Sequence, residues 1–323
     1  MNPLVTIAIP TYNRLTYLKE VVESSLAQSY SNIEILISQD PCPQGLDESI
    51  KNWCQALAAE NNQVRYRFNH HNLGLAGNWN ALADAAIGEY LVILGDDDRL
   101  LPKFVECMVQ VIHPDMNVAF ANHYIIDSQG VRLVPESYQW TQDYNRDRLP
   151  PGEIQYPETL VWQNSIPMSA SLIRTKDVQK LRFKEDLNTP EIELFIRLSQ
   201  VGGRFTFVPQ YLSEYRIHEQ SATQTGLRIE KLVSYLLTIP VHSTIEPYKQ
   251  ELLSSLMVNA VSRCLLQKEH SQARKFFAST YYPHAKWVHP IGWLQGFCTL
   301  LPSSLGCPLY RLGYRLKHYL HST

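Results

Sequence analysis

Short apolar strands alternate with amphipathic helices through the first third of the chain, and this alternation constrains the fold more than any other feature. Strands that are joined through helices run parallel in one sheet, and the helices cover both of its faces. The pattern therefore predicts an α/β fold with a mostly parallel central sheet flanked by helices. The strands are expected at residues 4–9, 33–38, 64–68 and 90–94, and the helices at residues 15–28, 47–60 and 77–86.

The middle of the chain has a less regular pattern. Two further strands are expected at residues 117–126 and 168–173, and another at 204–208. A helix is expected from 191 to 200, entered through a Thr-Pro pair. Residues 135–157 contain several prolines among polar and aromatic residues, which predicts a long loop.

From about residue 221 onward the pattern is helical. Amphipathic stretches occur at residues 226–239, 247–267 and 271–280. We therefore predict two domains, an α/β domain over residues 1–220 and a helical region over residues 221–323.

The composition is that of an ordinary globular protein, with 45% hydrophobic and 19% charged residues. A net charge of -2 argues against nucleic acid as a partner, because binding to phosphate backbones needs an excess of Lys and Arg. The six cysteines are scattered without metal-binding spacing, and no signal peptide or membrane-length apolar run is evident. We expect a cytoplasmic protein with free thiols.

Three consecutive carboxylates, Asp96, Asp97 and Asp98, follow the predicted strand at residues 90–94. Neighbouring carboxylates repel each other, by about 4 kcal/mol at 4 Å and an effective dielectric constant near 20, so such a cluster favours a cation. Mg²⁺ or Mn²⁺ holding a substrate diphosphate satisfies this requirement. The alternative is an acidic turn that caps the helix starting near Pro102.

The chain lacks the glycine-rich phosphate-binding loops of two common nucleotide-binding classes. No Gly-rich loop ending in Lys-Ser/Thr is present, and no Gly-x-Gly-x-x-Gly follows the first strand. ATP hydrolysis and nicotinamide chemistry are therefore disfavoured. A nucleoside diphosphate held through a metal requires neither loop.

Five segments in fixed order resemble the family 2 glycosyltransferases of the GT-A fold, and the resemblance covers roughly the first 220 residues. The fold that the resemblance implies is the GT-A nucleotide-diphospho-sugar transferase fold. The matching segments are residues 5–14 (VTIAIPTYNR), 28–40 (QSYSNIEILISQD), 72–80 (NLGLAGNWN), 88–98 (GEYLVILGDDD) and 215–218 (YRIH).

The resemblance implies a nucleotide-binding role for the first segment and for the acidic residue after the second strand. Tyr12 can stack on the base, and Asp40 can accept hydrogen bonds from the base or ribose. The other reading of Asp40 is a simple turn before Pro41. The implied positions in these two segments are Pro10, Thr11, Tyr12, Arg14 and Asp40.

The acidic triplet matches the DXD motif of the family. The resemblance implies metal ligation by Asp96 and Asp98, with His218 as a third ligand, and a contact of Asp97 with the sugar or ribose. The residues that resemble the helix entry beside the donor are Asn72, Gly74 and Asn78. For Asn78 a loop or helix-capping role is the alternative.

Residues 191–198 (EIELFIRL) resemble the helix that opens with the catalytic base of the family. Glu191 occupies the base position, where Asp is usual, and Glu193 on another helix face is the second candidate. The other reading of Glu191 is a helix-capping acid.

The resemblance implies a metal-dependent inverting glycosyltransferase of the hexosyltransferase type, acting in polysaccharide or glycoconjugate biosynthesis. The expected partners are a UDP- or dTDP-sugar donor and a glycan or lipid-linked acceptor. A non-catalytic subunit that binds a sugar nucleotide or metal and acts through its helical region is the alternative. A nucleotidyltransferase is disfavoured because its basic N-terminal loop is absent.

The C-terminal region is basic and rich in aromatic residues. Residues 270–323 contain six Lys and Arg and no Asp or Glu. This composition suits a segment at the inner face of the cytoplasmic membrane, facing anionic lipid. A helical cap on the catalytic domain, or a homo-oligomer contact, explains the same residues.

Overall fold

The computed structural model describes residues 2–218, 229–284 and 290–321, with side chains described up to residue 314 except for Pro290. The chain divides into two compact units, Met1–Leu227 and Arg228–Thr323. The first unit combines a ten-stranded sheet with helices, and the second is helical. A mixed α/β architecture with a helical C-terminal region confirms the predicted fold class.

The strands of the first unit are β1 (Val5–Thr11), β2 (Ile33–Gln39), β3 (Val64–Phe68), β4 (Tyr90–Ile93), β5 (Arg99–Leu100), β6 (Val118–Ile126), β7 (Arg132–Leu133), β8 (Gly152–Glu153), β9 (Ser171–Arg174) and β10 (Phe205–Arg216). Its helices are α1 (Leu15–Leu26), α2 (Glu48–Glu60), α3 (Gly74–Ala85), α4 (Phe104–Val111), α5 (Val134–Asp143), α6 (Pro157–Trp162), α7 (Thr175–Leu181) and α8 (Pro190–Gln200). The second unit consists of α9 (Ile229–Thr238), α10 (Glu246–Gln267), α11 (His270–Phe277), α12 (Pro290–Leu300) and α13 (Ser303–His321).

The sheet has the order β3-β2-β1-β4-β9-β6-β10-β5, with β7 beside β6 and β8 beside β10. Strands β1 to β4 form a parallel block, and β6 pairs parallel with β10. Strand β9 joins the two parallel parts and runs antiparallel to both β4 and β6. Because β1, β2 and β4 are parallel neighbours, their carboxyl ends lie at one edge of the sheet.

The apolar runs of the sequence become buried strands because helices cover them. Every residue of β2 is buried, and in β1 only Pro10 is partly exposed. Gly88 allows the chain to enter β4 close to β1, since a Cβ there would lie 2.5 Å from the backbone nitrogen of Thr6. Helix α2 begins where the carboxylate of Asp47 accepts hydrogen bonds from two backbone amides.

The predicted loop at residues 135–157 is wrong, because this segment begins with helix α5. Pro135 lies in the first turn of α5, where its missing N–H costs no helical hydrogen bond. Ser137 is fully buried, and its hydroxyl accepts the backbone N–H of Ile125 in β6. Side chains on one face of this polar sequence therefore fix it as a helix against the sheet.

Strand β10 is longer than the predicted strand at 204–208. Its pairing with β6 has register shifts between Val208 and Ser213, and it then continues to Arg216. Such a bulge bends a strand and redirects its side chains. The bend brings the end of β10 to the edge of the sheet where β1 and β4 end. Within the described residues, the structure contains no helix that combines the length and apolar character needed to cross a membrane.

Candidate active site

Three segments that are far apart in the sequence meet at the carboxyl ends of β1, β2 and β4. The backbone N–H of Asp40 donates to the carbonyl oxygen of Thr11 over 2.9 Å. The hydroxyl of Thr11 in turn donates to Oδ2 of Asp96 over 2.8 Å. A continuous hydrogen-bonded path therefore joins the two predicted nucleotide-binding segments to the acidic triplet.

Asp96 and Asp98 of the acidic triplet are buried and Asp97 is partly exposed, and Arg14 pairs with Asp96 and Asp97. Arg14 donates from Nη2 to Asp96 and from Nη1 to Oδ2 of Asp97, the latter over 2.6 Å. His218 Nε2 lies 2.9 Å from the same Asp97 oxygen. The backbone N–H of Arg216 donates to Oδ1 of Asp98 over 3.0 Å. The three carboxylates thus point to three different sets of partners.

Burial dominates the protonation behaviour of the two outer carboxylates. Asp96 and Asp98 are 2% and 3% exposed. Desolvation raises the pKa of Asp96, although the Arg14 charge opposes the rise. Burial, followed by the charge of Asp97, raises the pKa of Asp98 well above its usual value. A bound cation would lower both pKa values by favouring the charged carboxylates.

Arg216 is a site residue that the sequence analysis missed, although it lies within the quoted YRIH segment. Its fully buried guanidinium donates to the carbonyl oxygen of Asp97 over 2.7 Å and to Glu20 of α1 over 2.6 Å. It also lies 4.6 Å from the centre of the Tyr17 ring. Arg216 therefore holds the backbone of the triplet against α1.

The side chains of this cluster are chemically suitable ligands for a divalent cation. Asp97 Oδ2 and His218 Nε2 are neighbours, and carboxylate and imidazole are suitable ligands for Mn²⁺. No group of three or more such ligands is already arranged around one point in the described part of the chain. Two protein ligands are sufficient where substrate phosphates complete the coordination. His218 meets Asp97 rather than the two flanking carboxylates named in the sequence analysis.

Asp40 is held by an amide network on the opposite side of β1. Asn69 Nδ2 donates to Asp40 Oδ1 over 2.8 Å and lies 3.2 Å from Asn78 Oδ1. Asn78 donates to the carbonyl oxygen of Ser38 over 3.0 Å. Burial raises the pKa of Asp40, while the hydrogen bond from Asn69 opposes the rise. Asn78 thus contacts protein groups that hold the predicted nucleotide-binding residue Asp40.

The other residues that were predicted to contact the nucleotide sugar have local contacts of their own. Asn72 Oδ1 accepts the backbone N–H of Gly74 over 2.8 Å, and Gly74 has a φ of +70°, which glycine adopts easily. Pro10 pairs in register with Ser38 at the end of β1. The carbonyl oxygen of Tyr12 accepts a weak hydrogen bond from the Cys42 thiol over 3.8 Å.

Glu191 lies in the first turn of α8, and its Oε2 is buried without a hydrogen-bond partner. Burial raises the pKa of Glu191 to about 7. A carboxyl group with a pKa in this range suits proton transfer near neutral pH. Its charge also contributes to the raised pKa of Tyr144, whose largest cause is burial, so that these two side chains are neighbours.

Glu193, the second candidate for the base, has a different environment. Both of its carboxylate oxygens accept hydrogen bonds from Arg197, over 2.6 and 2.8 Å. Arg197 also donates to the carbonyl oxygens of Leu181 and Arg182, each over 2.7 Å. This paired carboxylate fixes α8 to the end of α7, whereas Glu191 retains an unused acceptor.

A buried polar cluster under α5 is a second feature that the sequence analysis missed. Arg146 is 2% exposed and donates to Asn122 Oδ1 and to the Ser165 carbonyl, and its Nη2 has no partner. Both ring nitrogens of neighbouring His123 are likewise buried without partners. Burial, followed by the Arg146 charge, lowers the pKa of His123 to about 3. Only the fold, which brings β6 under the α5 segment, identifies this cluster.

A mixed sheet of this topology, flanked by helices and followed by a helical C-terminal region, has the GT-A fold of solved transferase structures. The family model described as glycosyl transferase family 2 matches residues 6–164. Over this segment, which is about half of the chain, the sequence matches glycosyl transferase family 2.

The chain is similar to named proteins of this class. It is 27% identical over 249 residues to an uncharacterized glycosyltransferase, MJ1057, of Methanocaldococcus jannaschii, covering 75% of this chain and 80% of that protein. It superposes on residues 1–349 of S. aureus TarS in complex with UDP-GlcNAc with a TM-score of 0.63, 14% identity and coverage of 97% and 92%. The full TarS chain is covered to 48%.

A second solved structure shares the fold. The mannosyltransferase PcManGT of Pyrobaculum calidifontis, in complex with GDP-Man and Mn²⁺, superposes with a TM-score of 0.61 at 15% identity. The superposition covers 96% of this chain and 85% of the mannosyltransferase.

Proposed function

We propose that this glycosyltransferase moves a sugar from a nucleoside diphosphate to an acceptor hydroxyl, with inversion at the anomeric carbon. The observation that carries the proposal is the hydrogen-bonded path from Asp40 through Thr11 to Asp96. In this proposal the side chain of Asp40 accepts hydrogen bonds from the nucleoside, and the carboxylate cluster beyond Thr11 holds the cation and the diphosphate. The complexes named for the two similar structures, with UDP-GlcNAc and with GDP-Man, support a nucleotide-sugar donor.

A divalent ion, Mn²⁺ or Mg²⁺, would be held by Asp97 and His218 beside Asp96 and Asp98. When bound, it would neutralise charge on the departing diphosphate. Mn²⁺ in the mannosyltransferase complex supports this choice of ion. Arg14 supplies positive charge from the protein itself at this point, and it orients the carboxylates of Asp96 and Asp97.

Glu191 is proposed as the general base. Its Oε2 atom, which has no hydrogen-bond partner, would accept the proton of the acceptor hydroxyl. The hydroxyl oxygen then forms a bond to C1 of the sugar while the bond from C1 to the diphosphate oxygen breaks. Attack from the face opposite the leaving group inverts the configuration in a single displacement. Proton transfer of this kind contributes about 10² to 10⁴ in rate.

We propose a UDP- or dTDP-sugar as donor and a glycan or lipid-linked acceptor, with a role in polysaccharide or glycoconjugate biosynthesis in the cytoplasm. Tyr12 is proposed to stack on the nucleotide base.

Binding and turnover measured together test the proposal. Calorimetry with UDP-, dTDP- and GDP-sugars, with and without Mn²⁺, is expected to find a donor whose affinity increases with the metal. Glu191→Gln should bind that donor as the wild type does and lose at least about a hundredfold in turnover. The matched control is Glu60→Gln at the exposed end of α2, which should retain full turnover.

Two results would contradict the proposal. If no nucleotide sugar binds, the chain has no donor site of the proposed kind. Donor binding with no turnover in the wild type, on any acceptor or by hydrolysis, would instead favour a non-catalytic binding subunit.

A further inference from the structure

Helices α12 and α13 of the second unit carry large apolar side chains that are exposed to solvent. We call these six residues the apolar face. Large exposed apolar patches on soluble proteins mark sites of interaction with proteins, ligands or membranes. The exposed fractions are 60% for Trp293, 56% for Phe297, 74% for Leu300, 59% for Leu305, 37% for Leu309 and 57% for Leu312.

The apolar face has helical spacing on both helices. On α12 its members follow one another at intervals of four and three residues, and on α13 the intervals are the same. Residues at these intervals lie on one side of a helix. Each helix therefore presents one continuous apolar stripe rather than scattered apolar residues.

Two glycines show how α12 and α13 pack against each other. A Cβ on Gly313 would lie 2.8 Å from Leu294, and a Cβ on Gly306 would collide with the carbonyl oxygen of Cys298. Later residues of α12 therefore lie opposite earlier residues of α13, so the two helices run antiparallel. Residues 301 and 302 connect them, as in an αα-hairpin.

The two stripes face the same side of this hairpin. At about 100° per residue, each stripe lies roughly 100° around its own helix from the line of glycine contacts. In each helix, viewed from its N-terminus to its C-terminus, the rotation from the line of glycine contacts to the apolar stripe has the same sense. Because the helices are antiparallel, equal offsets turn both stripes to one side of the pair.

The charge of this part of the chain complements an anionic surface. From residue 270 to 323 the sequence has six Lys and Arg and no Asp or Glu. The apolar face therefore lies in a segment without a carboxylate side chain that would repel anionic lipid headgroups. Aromatic residues such as Trp293 are favoured at the boundary between headgroups and acyl chains.

We propose that the apolar face inserts into the interfacial layer of an anionic lipid bilayer, with α12 and α13 lying along the surface. This assignment goes beyond the proposed glycosyl transfer and does not depend on it. Binding of this kind gains from the buried apolar area and from attraction between basic residues and anionic lipid. The occupant of the face is therefore a membrane surface.

Flotation of the full chain with vesicles tests the assignment. The vesicles contain phosphatidylcholine alone or phosphatidylcholine with phosphatidylglycerol. The wild type should float with the anionic vesicles, and the double variant Phe297→Glu/Leu309→Glu should bind at least about tenfold less. Both substitutions are at exposed positions, and circular dichroism with donor calorimetry checks that the variant remains folded.

A matched control introduces two glutamates in place of exposed apolar residues outside the apolar face. Ile87 and Val201 are 65% and 69% exposed in the first unit. The double variant Ile87→Glu/Val201→Glu should float as the wild type does. Equal flotation of the wild type and Phe297→Glu/Leu309→Glu would overturn the proposal, as would a wild type that does not float with anionic vesicles.

Light scattering separates the membrane from a second copy of the chain. A wild-type dimer that becomes a monomer in Phe297→Glu/Leu309→Glu, together with no vesicle binding, would assign the apolar face to self-association and overturn the membrane assignment. Loss of flotation with unchanged donor affinity would support it. Donor affinity also reports independently on the proposed function.

Discussion

Arg14 Nη1 donates to Asp97 Oδ2 across 2.6 Å, although 83 residues separate the two in the sequence. Its other terminal nitrogen bonds to Asp96. One guanidinium therefore balances two adjacent carboxylates at the point where a cation and a diphosphate are proposed to bind. We therefore expect protein stability and the proposed donor binding to be coupled at this point, because both would depend on the charge of the same carboxylates.

Arg14→Met should lower the free energy of unfolding by about 2 kcal/mol, because it leaves buried carboxylates with less positive charge. The side chain of Arg14 is 23% exposed, so this is less than the cost expected for a fully buried pair. Mn²⁺ should stabilise the variant more than the wild type. Urea unfolding with and without Mn²⁺ measures both effects. Arg182→Met, which removes the exposed pair with Asp84, should cost less than about 0.5 kcal/mol.

Glu191→Gln should increase stability while it decreases turnover. Because burial raises the folded-state pKa of Glu191 to about 7, the folded protein binds this proton more tightly than the unfolded chain. Stability contributed by the protonated group is lost as pH rises from about 4.5 to about 7. At pH 8 the glutamine variant should therefore be more stable by up to about 3 kcal/mol, with little difference at pH 4. Urea unfolding at both pH values checks this, and equal stability at pH 8 would contradict it.

The wild-type pH profile follows from the same pKa. Turnover should rise with pH through about 7, because the proposed base acts only when it is deprotonated. The measurement is kcat as a function of pH at saturating donor and acceptor. A profile that falls through this range would argue against Glu191 as the base.

Glu193→Gln should reduce stability and largely keep turnover, which is the opposite of the effects expected for Glu191→Gln. The substitution removes the charge that pairs with Arg197, and Glu193 has a side-chain exposure of 3%. We expect a loss of about 2 kcal/mol in unfolding free energy and turnover per folded molecule within about threefold of the wild type. Thermal unfolding and single-time-point transfer assays separate the two. A hundredfold loss of turnover in well-folded Glu193→Gln would move the base assignment to that residue.

Asn80→Ala should destabilise the first unit, chiefly through the loss of two hydrogen bonds with the backbone of Phe183. Asn80 donates to the carbonyl oxygen of Phe183 and accepts its backbone N–H, both over 2.9 Å. Removing the side chain leaves both buried backbone groups without these partners, which costs about 2 kcal/mol. Chemical denaturation measures this loss. Asn62→Ala at an exposed position should change stability by less than about 0.5 kcal/mol.

His123→Phe should make the protein less sensitive to acid. The folded-state pKa of His123 is about 3, so the unfolded chain binds this proton first as pH falls. Stability is therefore lost as pH decreases from about 6.5 towards 3. Between pH 6.5 and pH 4.5 the wild type should lose about 2 to 3 kcal/mol that the variant retains, which unfolding at the two pH values measures. Phenylalanine keeps the aromatic packing against Trp140 and Tyr215.

The sequence by itself determined the parallel block of the sheet and the position of the acidic triplet. Strands β1 to β4 and the helices between them have periodic apolar patterns, and periodicity depends on local spacing alone. The resemblance of short segments then pointed to the fold class and the family. Local patterns failed where side chains meet distant partners: α5 was expected to be a loop because its burial depends on β6.

Only the tertiary structure decided which charges meet. It brought Arg14 and Arg216 to the triplet, placed His218 against Asp97, and paired Glu193 while leaving Glu191 Oε2 without a partner. Desolvation and ion pairing depend on distance in space and on solvent access, and neither is encoded in the local spacing of residues. The chemical roles of individual carboxylates therefore follow from the folded packing, whereas the existence of the strands that carry them follows from the sequence.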